Sequence, residues 1–115
     1  MRMEISECGP ITIVKPCDRR MDAHGVIQFK ATMHGIAEGG AKHIVLDMSR
    51  IDFMDSSGLG ALIAVLKRMS PDRKFEVSGL TAPVQKVFDL TRMDHVFKIY
   101  KKTDDAIAGL QEKAG

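Results

Sequence analysis

Tryptophan is absent from the chain and aromatic residues make up only 5% of it. A core must therefore be aliphatic, with eight methionines as adaptable filler. Charge of one sign is also missing: 17 Lys and Arg stand against 15 Asp and Glu, a net +2. The two signs are mixed along the sequence, which leaves no footprint for nucleic acid. No apolar run approaches the ~20 residues that span a bilayer. Glu4 falls where a signal peptide would carry its apolar region. A cytoplasmic location without membrane insertion is expected. There are only two cysteines, Cys8 and Cys17. A hairpin turning at Gly9-Pro10 would set Cys8 near Ile11 and leave Cys17 far along the other strand. No disulfide and no zinc pair are expected. His24 and His34 lie too far apart on their helix for a metal pair.

The 115 residues are enough for one domain, residues 1–115, with its own core. Met3–Cys8 and 11–15 alternate as two short strands, and Pro16 ends the second. Asp18-Arg19-Arg20 reads as a charged loop. Asp22 then precedes a helix from Ala23 to about Glu38, with Val26, Phe29, Met33 and Ile36 on its stripe. Ile44-Val45-Leu46 suits a central strand buried on both faces. Residues 70–73 form a turn into a strand at 74–77, which completes a βαβ unit. Thr81 looks like the cap of the next helix, with Val84, Val87 and Phe88 inward and Pro83 in its first turn. Residues 96–100 read as a last strand with Val96 and Phe97 buried. Thr103 caps a final helix that packs through Ile107 and Leu110. The order predicts an α/β fold with a mixed sheet of four or five strands.

The densest stretch runs from Ile51 to Met69. Asp55, Ser56 or Ser57 can cap a helix start there, because a short side-chain oxygen accepts from the free N–H groups of a first turn. Leu59, Leu62, Ile63, Leu66 and Met69 follow at helical spacing. The hydroxyl pair thus sits at the positive end of a helix dipole, a good place for an added negative group. Opposite the stripe, Ser57, Gly58, Gly60, Ala61 and Ala64 give a nearly side-chain-free face. Interior glycine often marks close approach of another backbone. That could be a partner, or tight packing inside the same domain.

Phe53-Met54-Asp55-Ser56-Ser57-Gly58-Leu59-Gly60, preceded by Ile44-Val45-Leu46-Asp47, resembles the signature of the STAS domain. The likeness is greatest to bacterial anti-sigma factor antagonists and covers nearly the whole chain. It implies helices gathered mainly on one face of the sheet. It also implies that Ser56, the first serine after the aspartate, is phosphorylated by a partner kinase. Asp22, Asp52, Asp55 and Ser57 would surround that site, and Gly58, Gly60, Ala61 and Ala64 would receive the partner. The family loop often reads glycine-glutamate-leucine-aspartate before the first long helix. Here it is Arg19-Arg20-Met21-Asp22: the aspartate is kept, and two arginines make a more positive rim.

By that resemblance the chain is expected to bind an anti-sigma factor that has serine kinase activity. Phosphorylation of Ser56 would release it, and a metal-dependent serine phosphatase would restore it. The alternative is a STAS subunit of a lipid-transport ABC system or of a stress-signalling assembly, where the phosphorylatable pair would not be needed. Catalysis by Ser56 is disfavoured, since no G-x-S-x-G elbow or nearby histidine supplies a base, though His95 could approach in the fold. Helix starts near Gly58 and Thr81 could hold a nucleotide weakly, but no Walker lysine is present. No cofactor is expected. A near-neutral surface without a long apolar seam predicts a monomer when alone.

Overall fold

The computed structural model describes residues 1–69 and 71–114, without the side chains of 110–114. Ser70 of the expected turn and the Leu110 contact therefore lie outside the described residues. Strands β1 (Met3–Cys8) and β2 (Ile11–Pro16) form an antiparallel hairpin in which Cys8 pairs with Ile11. Gly9 takes the positive φ of 60° that this two-residue turn needs. Both cysteines are free. β3 (Arg20–Met21) and helix α1 (Val26–Glu38) follow, then β4 (His43–Asp47), β5 (Phe53–Met54) and helix α2 (Ser56–Arg68). The chain continues through β6 (Lys74–Ser78), helix α3 (Ala82–Leu90), a 3-10 turn at Met93–His95, β7 (Ile99–Tyr100) and helix α4 (Thr103–Ala114).

The main sheet has five strands in the order β1-β2-β4-β6-β7. Only β1 is antiparallel to its neighbour. β3 and β5 pair with each other, parallel, as a separate two-stranded ribbon. β4 is central, and Ile44, Val45 and Leu46 are all fully buried, as a strand covered on both faces must be. Its alternation divides the core. Ile44 and Leu46 pack with Val14, Phe75 and Val77 under α1, α2 and α3, where Phe29, Met33, Leu62 and Phe88 fill the layer. Val45 turns the other way, to Ile11 and to Ala106 of α4. Three of the four helices thus share one face, as expected of a mixed α/β fold with helices mainly on one side. Each large side chain buried there contributes ~1.5–3 kcal/mol.

Several expected boundaries move. α1 begins at Val26, not Ala23. The Asp22 carbonyl takes the N–H of both Gly25 and Val26, so residues 23–25 form a turn before the helix. On α2 the buried stripe is Leu59, Ala61, Leu62 and Val65, while Ile63 and Leu66 are only half-buried. Thr81 stands at the cap position of α3, but its hydroxyl donates to the Ile51 carbonyl at 2.7 Å instead. Val87 is half-buried, outside the contact made by Val84 and Phe88. The expected strand at 96–100 shrinks to Ile99–Tyr100. Val96 is exposed, and Phe97 is buried between Phe75 and Phe88, with ring centroids 5.9 and 6.0 Å away.

Candidate functional site

The site is assembled where the β3–β5 ribbon delivers the chain into α2. Arg20 pairs with Phe53 and Met21 with Met54. The Arg19 carbonyl accepts from the N–H groups of Asp52 and Phe53 at 2.8 and 3.2 Å, and the Met21 carbonyl from Asp55 at 3.4 Å. Met21 and Met54 turn into the core, while Arg20 and Phe53 face solvent. Asp55 is extended, and its Oδ1 accepts from the Gly58 N–H at 3.0 Å. That bond selects Asp55 as the cap and releases the serines from the task. Ser56 and Ser57 are the first two helical residues, and both are exposed. Among the described residues neither hydroxyl has a hydrogen-bond partner. Both lie at the end of α2 where free N–H groups give a positive potential.

The face expected to be smooth is not one surface. Gly58 and Ala61 are buried, whereas Gly60 is exposed and Ala64 half-buried. A Cβ on Gly58 would fall against the Met21 carbonyl oxygen and the Met21 and Met54 side chains. Gly58 therefore lets the ribbon approach the helix, and that face of α2 serves the fold. Gly60 meets nothing within 4 Å. Of that expected face, Ser57, Gly60 and part of Ala64 remain exposed.

Asp52 and Asp22 are both engaged by arginines of the β3 segment. Arg19 donates to Asp52 through Nε at 2.9 Å and through a second guanidinium nitrogen. Arg20 donates to Asp22 at 3.3 Å and lies 4.0 Å above the Phe53 ring. The Arg20 hydrogen bond, helped by the backbone N–H of His24, holds the Asp22 carboxyl below the ordinary aspartate value despite some loss of hydration. An open groove of about 680 Å3 beside these residues is lined by Met1, Cys17, Arg19, Arg20, Asp22 and His24. His95 is exposed and 3.8 Å from Asp94, with no bond to Ser56. No group of three or more metal-ligating side chains converges among the described residues. Among the same residues no helix is long and apolar enough to cross a membrane.

Two features escaped the sequence reading. The Arg19–Asp52 pair joins residues far apart in sequence, and only the β3–β5 pairing brings them together. On the face under α4, the buried His43 and Glu76 side chains meet at 2.5 Å, and the Tyr100 hydroxyl reaches Glu76 at 3.3 Å. Burial, with the Glu76 charge beside it, pushes the Tyr100 phenol up from its ordinary value. Polar residues at inward positions of β4 and β6 were the available signal.

A five-stranded mixed sheet with a serine pair opening its second long helix, capped by Asp55, defines a small mixed α/β domain. The STAS domain profile matches residues 3–106, and the chain belongs to that family. Its relatives include the anti-sigma-B factor antagonist of Staphylococcus aureus, 20% identical over 73% of this chain and 79% of that one. Among solved structures, an anti-sigma factor antagonist from Mycobacterium paratuberculosis superposes with a TM-score of 0.87 at 19% identity, covering 96% and 93% of the two chains. The unphosphorylated form of the anti-sigma factor antagonist SpoIIAA, a Bacillus cell fate determinant, gives 0.81 at 19% identity, covering 96% and 97%. Its phosphorylated form gives 0.72, also at 19%, covering 95% and 99%. At such identities these superpositions establish the fold.

Proposed function

We propose that this chain is an anti-sigma factor antagonist that works by partner switching in the cytoplasm. Unmodified, it binds an anti-sigma factor that is also a serine kinase, so that the sigma factor is set free. The kinase then transfers phosphate from ATP to Ser56, the complex parts, and a metal-dependent serine phosphatase restores the binding form. The chain is substrate and switch, and the catalytic groups belong to its partners. The observation that carries this reading is the exposed, unbonded Ser56 hydroxyl at the start of α2, with the cap supplied by Asp55.

Phosphate adds roughly −1.5 to −2 charges, which a helix N-terminus accepts. Acids on a partner do not accept it. Weakened association then needs no refolding of the domain. Ser57, Gly60 and Ala64 complete the partner surface around Ser56. The test is incubation with the cognate kinase and ATP, followed by mass spectrometry. Phosphate maps to Ser56, and Ser56→Ala binds the partner but takes none. Phosphate on Ser57, or equal labelling of Ser56→Ala, overturns the assignment.

A further inference from the structure

Arg19 and Arg20 are strongly exposed, with 81% and 61% of their side chains accessible. Each is nevertheless held by a carboxylate of its own chain, Arg19 by Asp52 and Arg20 by Asp22. The ribbon register sets Arg20 beside Phe53, three residues before Ser56, and keeps it there by stacking on the ring. At ~3.3 Å per residue, that separation is within the combined reach of an arginine and a phosphoserine. In the unmodified chain the four groups cancel. Asp55, the remaining acid, is occupied by the Gly58 N–H.

Exposed ion pairs with one carboxylate are weak. A phosphate dianion offers more charge and a bidentate fit to guanidinium. Resting on the reading of Ser56 as the modified residue, we infer that Arg20, with Arg19 behind it, is an intramolecular receptor for phosphate on Ser56. The arginines leave Asp22 and Asp52 and turn to the phosphoryl oxygens. Modification then changes the surface twice. It adds the phosphate, which the arginines partly cover, and it bares two carboxylates that had been masked. A partner that had met two neutral pairs now meets Asp22 and Asp52 as free charges.

The experiment uses the full chain with phosphoserine installed at position 56 during synthesis, so no kinase is needed. Phosphorus NMR follows the second ionisation of the phosphate, and carbon NMR follows the Asp22 carboxyl. In Arg20→Gln the phosphate ionises about 0.5 pH unit or more higher than in the unsubstituted chain. Arg68→Gln, at the far end of α2, leaves it unchanged. In the phosphorylated chain without substitutions, the Asp22 titration moves back up towards the ordinary aspartate value. Phosphate ionisation that is the same in the Arg19→Gln/Arg20→Gln chain overturns the inference, as does an Asp22 titration unmoved by phosphate. The carboxyl measurement needs no variant, so a folding defect cannot obscure it. Failure here leaves the kinase reading intact, and failure of a kinase to modify Ser56 leaves this result interpretable.

Discussion

A Cβ atom on Gly58 would stand far inside van der Waals contact of the carbonyl oxygen of Met21. No packed pair tolerates that approach, and the obstacle is backbone. Gly58→Ala should gain the helical preference of alanine yet lose about 2 kcal/mol or more by forcing the ribbon away from α2. Gly60→Ala, in open space, should stabilise by up to ~1 kcal/mol. Urea denaturation of the two variants gives opposite signs if the contact is as described. Gly60→Trp should fold normally and block the partner in a pull-down; undiminished binding would remove Gly60 from the interface.

Asp55 and Ser56 should separate in the same way. Asp55→Ala removes the acceptor of the Gly58 N–H and should cost about 1 kcal/mol. Ser56→Ala removes a hydroxyl with no bond to lose, and should stay within ~0.5 kcal/mol. Equal losses in thermal unfolding would mean that Ser56 shares the cap.

Arg73 closes the other end of the helical layer. Its guanidinium donates to the Ala41 carbonyl at 2.9 and 2.7 Å and to the Ala37 carbonyl of α1. Arg73→Ala should cost about 1–3 kcal/mol, because the Ala41 carbonyl loses its donor and the Ala37 carbonyl keeps the Gly40 N–H. Arg73→Lys should recover only part of it, since an ammonium lacks the fork that bridges both residues. Chemical denaturation checks the order of the three proteins.

Asp22 gives a signed dependence on pH. Its carboxyl is held below the ordinary aspartate value chiefly by Arg20. A depressed carboxyl contributes stability that is fully present above the unfolded value and is lost as pH falls through the folded one. Carbon NMR should place the Asp22 midpoint below that of an unstructured aspartate. Arg20→Gln should raise it, and an unchanged midpoint would deny the pairing.

The sequence carried the main sheet well. β1 and β2 form the expected hairpin about Gly9, β4 is the buried central strand, and α2 starts beside Asp55. These elements are written in local alternation, turn chemistry and caps. β3 and β5 are not. Two residues cannot show a period, and Arg20 gives no apolar signal. Phe97 misled for a related reason: its hydrophobicity records contact with Phe75 and Phe88 beyond the end of a strand. Near the serines, the helix start at Ser56 was legible from the local sequence, whereas the burial of Gly58 depends on where the Met21 carbonyl comes to rest. The pairing of Asp52 with Arg19 is likewise a product of topology.

The ribbon also separates what may vary from what may not. Around α2, residues 19–21 are fixed through backbone groups: the Arg19 carbonyl takes two N–H groups and the Met21 carbonyl lies against Gly58. Of their side chains only Met21 enters the core. Positions 19 and 20 can therefore be rewritten without disturbing the sheet. Under the proposed function, such a rim could be retuned to a different kinase while the serine, its cap and the helix stay as they are, which would let duplicated switches within one cell diverge and avoid cross-talk.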